Sequence, residues 1–266
     1  MAEPAHSFDD SVAYERFMGR WSRAAGELFL DWLVPPKAAR WLDIGCGTGV
    51  FTALIAERCA PQAVTAVDPA PAQIAHARRQ PLAQRVDFQV ADAAGLPFGD
   101  AAFDVAALAL VLNFVPDRPR ALAEISRVTR PGSVVAGYVW DFAAELSPSW
   151  PLRRGMRDVG LDVPDVPGTA ASRVDALRSL FEQAGFVLID TNAFDVTLSY
   201  ADFDDFWQSQ TPTYSPTTKM IAAMTDADRA RLVEAVRAVL PSPDGTIAYS
   251  ARANVFKARR PKDGVA

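Results

Sequence analysis

The chain has 266 residues, of which 50% are hydrophobic and 22% are charged, and its formal net charge is −5. A chain of this size and composition can bury a sizeable core, which favours one domain with elaborations. The acidic balance, without a cluster of Lys and Arg, argues against nucleic acid as a partner.

The cysteine content, the N-terminal segment and the length of the apolar stretches favour a cytoplasmic protein that is not inserted into a membrane. Cys46 and Cys59 are the two cysteines, and they form neither a disulfide framework nor a metal-binding pattern. The N-terminal segment is acidic and polar, unlike a secretory signal. The longest apolar stretch, 105–115, is too short for a membrane span and reads as a buried strand that runs into a loop.

The first half of the chain predicts alternating strands and helices. Apolar residues at helical spacing over 12–33 predict two helices with a break near Gly19. Strands are predicted where apolar and β-branched residues cluster, at 40–44, 63–68, 85–92, 101–110 and 133–140. Near-continuous apolar strands that alternate with helices imply a parallel sheet covered on both faces.

The second half contains two long segments of a different kind. Residues 141–170 are proline-rich without a clean period, and 199–240 read as an insertion with two or three helices. Between them, 172–185 predicts a helix with a serine cap and a glycine stop, followed by a strand at 186–196. A last strand is predicted at 245–260. Long segments in compact domains are more often functional covers than plain connectors.

A glycine-rich turn, "LDIGCGTGVF", follows the first predicted strand. Such a turn lets backbone approach a ligand at the carboxyl edge of an α/β sheet. The spacing is Gly45-x-Gly47-x-Gly49, whereas a dinucleotide fingerprint needs its third glycine at Val50. No lysine stands beside Thr48, as a phosphate loop would require. By itself, the glycine spacing is compatible either with binding of a nucleotide-like ligand or with a tight turn that binds nothing.

Two acids at successive strand ends favour the ligand. Asp68 closes the second predicted strand, where a carboxylate can hold a ribose diol through charge-assisted hydrogen bonds. Asp92 closes the third, where a carboxylate can accept from an exocyclic amine and the next backbone N–H can meet a ring nitrogen. The alternatives are a helix N-cap for Asp68, because Pro69 and Pro71 follow it, and a loop cap for Asp92.

These motifs carry a resemblance. "LDIGCGTGVFTALIAE", "VTAVDPAPAQIAHAR", "VDFQVADAAGLPFGDAAFDVAALALVLNFVPDRPRALAEISRVTRPG" and "LFEQAGF" resemble the class I S-adenosylmethionine-dependent methyltransferases, and within them the small-molecule methyltransferase type 11 group. "YERFMGRWS" and "DGTIAYSARANVFKARR" are similar to a subgroup of that family, so the resemblance covers nearly the whole chain.

The resemblance implies a Rossmann-like, doubly wound α/β fold. We expect a mostly parallel seven-stranded sheet with helical lid insertions after the fifth and sixth strands. Residues 1–266 would form a single domain. It would consist of an N-terminal helical cover (1–36), a cofactor-binding core (37–140) and acceptor-side insertions (141–170 and 199–240).

The resemblance also implies a cofactor, S-adenosyl-L-methionine, and residues that bind it. The glycine turn would pass under the methionine part with Asp43 near its ammonium group, Asp68 would hold the ribose, and Asp92 with Ala93 would read adenine. The full expected set is Tyr14, Met18, Arg20, Asp43, Gly45, Cys46, Gly47, Thr48, Gly49, Asp68, Pro69, Gln73, Asp92, Ala93 and Leu110.

The acceptor side is less specified by sequence. Asp141, just past the fifth strand, is the best-placed acid to orient or deprotonate the acceptor, with a loop cap as the alternative. Trp140, Phe142, Trp207 and Tyr214 are the candidate substrate contacts, with core packing as the alternative. We see no carboxylate or histidine cluster for a metal.

The resulting expectation is metal-free, in-line methyl transfer to a small, largely apolar or aromatic molecule, by a monomer or homodimer. Two other functions stay open. One is a different reaction on the same cofactor-binding scaffold, such as a cyclisation, because fold does not fix function. The other is a binding module without catalysis.

Overall fold

The structure, a computed structural model, describes residues 15–211, 216–240, 242 and 244–262. Its centre is a seven-stranded sheet with the order β3-β2-β1-β4-β5-β7-β6. The strands are β1 (Arg40–Ile44), β2 (Ala63–Asp68), β3 (Asp87–Val90), β4 (Phe103–Ala109), β5 (Thr129–Trp140), β6 (Val187–Tyr200) and β7 (Ile247–Arg259). The first five strands are parallel, and β7 pairs antiparallel with both β5 and β6. The predicted Rossmann-like, mostly parallel sheet is therefore confirmed.

Helices cover both faces of the sheet. They are α1 (Arg20–Leu33), α2 (Val50–Arg58), α3 (Pro71–Ala77), α4 (Arg118–Val128), α5 (Trp150–Asp158), α6 (Val174–Gln183), α7 (Phe203–Gln210), α8 (Pro216–Ala222) and α9 (Asp226–Val239). Two apolar clusters result, one on each face, because the apolar stripe of each helix packs against β-branched and aromatic residues of the strands. On one face Phe29 of α1 packs against Tyr138 of β5, and on the other Phe181 of α6 packs against Phe256 of β7.

The two long segments of the second half form helices that pack on each other. Met156 of α5 and Val236 of α9 are both fully buried. Gly155 makes this close approach feasible, because a Cβ there would lie 2.4 Å from a Val236 side-chain carbon. The segment 141–170, which shows no clean period in sequence, thus contributes a helix to a joint cover over the carboxyl end of the sheet.

Some predicted element boundaries were wrong. The expected break near Gly19 is a turn of π-helix over Glu15–Gly19 that leads directly into α1. The predicted serine cap is absent from α6, which begins at Val174 without a side-chain cap. Ser172 instead accepts a hydrogen bond from the Ala143 backbone and donates one to Thr169. The side chain therefore links two loops.

No helix within the described ranges is long and apolar enough to cross a membrane.

Candidate cofactor and acceptor site

A largely apolar cavity of about 240 Å³ opens between the carboxyl edge of the sheet and the helical cover. The glycine turn after β1 and the end of β2 supply one part of its wall through Gly45, Gly47 and Asp68. The end of β5 and helix α5 supply another part through Trp140 and Leu152. Ligands in open α/β sheets bind at this edge, which makes the cavity the candidate site.

The glycine turn is built from left-handed backbone. Gly45 and Gly47 have φ values of +72° and +55°, which side chains with a Cβ rarely adopt. A Cβ on Gly45 would lie 2.3 Å from a Val111 methyl carbon, so the turn packs tightly there. A Cβ on Gly47 would meet nothing within 4 Å. The open space beside Gly47 is where a ligand can touch the backbone.

Asp68 joins this turn to the second strand. Its Oδ2 accepts a 3.0 Å hydrogen bond from the Gly47 N–H, and its Oδ1 accepts a 2.9 Å bond from the Ala70 N–H. Burial raises the pKa of the Asp68 carboxyl, and the two backbone bonds partly offset that rise. A carboxylate oxygen can accept a second hydrogen bond, so the turn-stabilising role leaves capacity for a ligand hydroxyl.

Asp43 lies fully buried beneath the turn. Its Oδ2 accepts a 2.6 Å hydrogen bond from the Thr52 hydroxyl. Within the described part of the chain, Oδ1 of Asp43 and Oγ1 of Thr48 have no hydrogen-bond partner. Both residues line a second cavity of about 40 Å³ that shares Gly45, Gly47 and Leu110 with the larger one. Burial raises the pKa of Asp43 to about 7, the hydrogen bond from Thr52 partly offsets that rise, and the charge of Asp68 adds to it.

The other predicted cofactor residues differ in whether they line one of the two cavities. Met18, Pro69, Gln73 and Leu110 line the large cavity, and Cys46 lines the small one with a thiol whose pKa burial raises well above its usual value. Gly49 lines neither cavity and forms the left-handed N-cap of α2. Tyr14 lies outside the described residues.

Three further predicted cofactor residues, like Gly49, line neither cavity. Asp92 is exposed and caps its own loop by accepting a 2.8 Å bond from the Ala94 N–H, and the buried Ala93 follows it. Arg20 is exposed, donates to the Ser199 carbonyl at 2.7 Å and lies over the Tyr200 ring. Arg20 thus fastens α1 to β6, because its side chain leaves the helix on the side of that strand.

Two of the four predicted substrate residues line the large cavity, one does not, and one lies outside the described residues. Trp140 is 2% exposed and packs edge-on against Trp21, and Phe142 packs edge-on against Phe114; both line the cavity. Trp207 does not line it, because the indole stacks on Phe203 of the same helix at 6.0 Å. Tyr214 lies outside the described residues.

Asp141 is placed as a loop cap. Its Oδ1 accepts a 3.0 Å hydrogen bond from the Ala144 N–H, its backbone pairs with Arg252, and its side chain does not line the cavity. This placement fits the loop-cap alternative, because the turn over 141–144 directs the carboxylate to its own backbone; a role at the acceptor stays a prediction.

Several cavity residues were not identified from sequence. They include Phe17, Phe114, Leu152, Arg153, Gln210 and Thr218. Arg153 stands one position after Leu152 on α5, in the segment whose periodicity was obscured by prolines. The first-turn proline of α5, Pro151, was a usable signal for a helix start there.

The donors and acceptors around the turn suit S-adenosylmethionine. The partnerless Asp43 oxygen offers an anion to an ammonium group, the space at Gly47 admits a ligand against bare backbone, and Asp68 offers acceptors to a diol. The fold and this site together define the class I S-adenosylmethionine-dependent methyltransferases, in which that molecule is the cofactor.

Comparisons with known proteins agree. Residues 42–137 match the family model described as a methyltransferase domain. The O-methyltransferase cnsE of Penicillium expansum is 40% identical over 164 residues, which cover 59% of this chain and 55% of that protein. A malonyl-(acyl-carrier protein) O-methyltransferase of Serratia marcescens is 34% identical over 160 residues, covering 57% and 61%. The chain spans a little over half the length of these curated relatives.

Solved structures show the same fold. The YcgJ protein from Bacillus subtilis superposes with a TM-score of 0.59 at 17% identity, covering 92% of this chain and 100% of that one. A phosphoethanolamine N-methyltransferase of Haemonchus contortus in complex with S-adenosyl-L-methionine gives 0.59 at 19% identity, covering 96% and 58%. Residues 42–137 are therefore similar to a methyltransferase domain, and the fold is the one that methyltransferases of known structure share.

Proposed function

We propose that this chain transfers a methyl group from S-adenosylmethionine to a small, largely apolar or aromatic acceptor, in line and without a metal ion. One observation carries the proposal. The glycine turn with Asp68 and the apolar surfaces of Trp140, Phe142 and Leu152 share the wall of a single cavity. A donor and an acceptor bound there would be in contact.

The cofactor end would be held by backbone and carboxylates. Asp43 would face the ammonium group, Gly45 and Gly47 would lie against the methionine part, and Asp68 would accept from the ribose hydroxyls. Pro69 and Gln73 would flank the nucleoside, and Met18 and Leu110 the methionine. Asp92 and Ala93 stay a family-based proposal for the adenine edge, because neither lines the cavity.

The acceptor end would act by positioning and by exclusion of water. Bound S-adenosylmethionine supplies an electrophilic methyl group on a positively charged sulfur. Trp140 is fixed by its packing on Trp21, so its indole gives the acceptor a rigid apolar surface. Holding reactants at near-attack distance in a dry site supplies much of the rate enhancement in reactions of this type.

The names of two relatives favour an oxygen nucleophile, because cnsE and the Serratia protein are both named O-methyltransferases. An acceptor with a hydroxyl or carboxylate group is therefore the first class to try. The proposal for oxygen rests on those names and not on a contact in the cavity.

Incubation of the protein with a metabolite extract and methyl-labelled S-adenosylmethionine tests the proposal. We expect the label to appear in a small molecule, and an Asp68→Asn variant to give little product. Binding of S-adenosylmethionine without any labelled product in extracts that contain oxygen, nitrogen and carbon acceptors would indicate a different reaction on this scaffold. Absence of cofactor binding in calorimetry would indicate a non-catalytic module.

A further inference from the structure

Arg153 is a cation in the wall of an otherwise mostly apolar cavity. Among the described residues that line the large cavity, Asp68 and Arg153 are the charged ones. Asp68 belongs to the cofactor end, where the Gly47 and Ala70 backbones already hold its carboxylate. Arg153 comes from α5, on the side of the apolar acceptor surface.

The other arginines of α5 are neutralised. Arg157 makes a two-pronged ion pair with Glu145 at 2.6 and 2.7 Å, and Arg154 pairs with Asp158 at 3.1 Å. No carboxylate within the described ranges lies within 4.0 Å of the Arg153 guanidinium, which donates to the Pro164 carbonyl at 2.9 Å. Helix α5 therefore carries two arginines that are paired with carboxylates and one, at the large cavity, that has no carboxylate partner among the described residues.

Burial also makes the charged form of the Arg153 side chain less favourable. Desolvation lowers the pKa of Arg153, and the positive charge of Arg157 adds to that effect, while the negative charges of Glu145 and Asp165, which line a neighbouring cavity with Arg153, oppose it. A partly desolvated guanidinium without an ion-pair partner is stabilised by an anion that enters the cavity. One guanidinium nitrogen of Arg153 donates to the Pro164 carbonyl, and the remaining N–H groups can donate to an anion in the cavity.

We infer that the acceptor of this enzyme carries an anionic oxygen group, a carboxylate or phosphate, which Arg153 binds while the apolar part lies against Trp140, Phe142 and Leu152. The inference deepens the proposed function and depends on it. The inference narrows the acceptor from a largely apolar or aromatic molecule to an amphipathic acid. It assigns the preference for that acid to the Arg153 side chain.

The test uses the protein saturated with S-adenosylhomocysteine, so that the cofactor end is filled. Calorimetry would compare three acids with their uncharged amides: benzoate with benzamide, 2-naphthoate with 2-naphthamide, and hexanoate with hexanamide. We expect at least one acid to bind about tenfold or more tightly than its amide, as a charge-assisted bond predicts. A further arm with phenyl phosphate against benzoate distinguishes the two anions.

Three variants test whether Arg153 causes the preference for an acid over its amide. Arg153→Gln should abolish the preference for the acid, and Arg153→Lys should keep part of it. Arg154→Gln, on the same helix but outside the cavity, is the matched control and should keep it in full. Affinity for S-adenosylhomocysteine should stay within about twofold in all three variants if the cofactor end is intact.

The outcomes separate this inference from the function it rests on. If none of the three acids binds more tightly than its amide in the wild type, or if Arg153→Gln retains the preference, the inference is wrong. In that case intact binding of S-adenosylhomocysteine and labelled product from the metabolite extract would leave the proposed methyl transfer standing. Loss of cofactor binding in the wild type would overturn both.

Discussion

The backbone N–H of Gly47 donates a 3.0 Å hydrogen bond to Oδ2 of Asp68. The turn after β1 and the end of β2 are thereby fixed to each other, since parallel pairing already places Ile44 beside Val67. The same carboxylate that shapes the turn is the one expected to meet the ribose. The shape of the turn and the affinity for the cofactor are therefore expected to depend on the same side chain.

Asp68→Asn should weaken binding of S-adenosylhomocysteine by about tenfold or more. The amide replaces one carboxylate oxygen by a donor, so either the Gly47 or the Ala70 N–H loses its acceptor, and the charge that strengthens both bonds is removed. Isothermal calorimetry measures the change. Asp87→Asn at the start of β3 is the control, because its exposed carboxylate accepts a hydrogen bond from the neighbouring Gln89 side chain and lies outside the cavity. Equal affinities for wild type and Asp68→Asn would contradict the ribose role.

Gly47→Ala should separate stability from cofactor binding. The methyl group meets no protein atom within 4 Å, so the cost to the free energy of unfolding should be about 1–2 kcal/mol from the positive φ alone. The same methyl group enters the space assigned to the cofactor, so affinity should fall by more than about tenfold. Chemical denaturation and calorimetry measure the two effects. A variant that keeps wild-type affinity would show that the cofactor does not contact Gly47.

Sequence was sufficient for the sheet and for the part of the cavity wall at the carboxyl ends of β1 and β2. Periodicity and apolar runs determine β-strands wherever both faces of a sheet are buried, and the carboxyl ends of neighbouring parallel strands must meet. Gly45, Gly47 and Asp68 therefore come together because strand pairing brings them together. Their proximity follows from topology and needs no knowledge of loop geometry.

The acceptor end was less predictable because it depends on side-chain direction in irregular segments. Asp141 stands beside two cavity residues in sequence, yet a turn of four residues directs its carboxylate to the Ala144 N–H. Trp207 lies in the expected insertion, but its indole stacks within α7 on Phe203. Arg153 was missed because the prolines of 141–170 obscure a helical period of only nine residues.

Asp43 should make the stability of the empty protein depend on pH. Its folded-state pKa is about 7, whereas an unfolded aspartate titrates near 3.9, so the folded state binds the extra proton between these values. The free energy of unfolding should therefore fall as the pH rises from about 4 through the folded-state pKa, by up to roughly 3–4 kcal/mol from this group, and should level off about one pH unit above that pKa. Denaturation of wild type and Asp43→Asn across this range isolates the contribution. Parallel curves for the two proteins would contradict the raised pKa.

The same carboxylate should couple cofactor binding to proton release. An ammonium group beside Asp43 favours the ionised form, so the affinity for S-adenosylhomocysteine should rise between about pH 6 and pH 7 and then level off. Calorimetry at pH 6 in buffers of different ionisation enthalpy should detect a released proton. Asp43→Asn should bind more weakly and release none. A pH-independent wild-type affinity would place the ammonium group elsewhere.

Asp141→Asn should affect stability more than turnover. The carboxylate caps the loop by accepting from Ala144 and lies near the charges of Arg173 and Arg252, so its loss should cost about 1 kcal/mol of unfolding free energy. Because the side chain does not line the cavity, label transfer from S-adenosylmethionine should change by less than about threefold. The Phe142→Ala variant is the contrast, since it removes part of the acceptor surface and should lower label transfer by tenfold or more. A large loss of turnover in Asp141→Asn, with unfolding free energy and cofactor affinity unchanged, would restore Asp141 as the acid or base that its position in the sequence suggested.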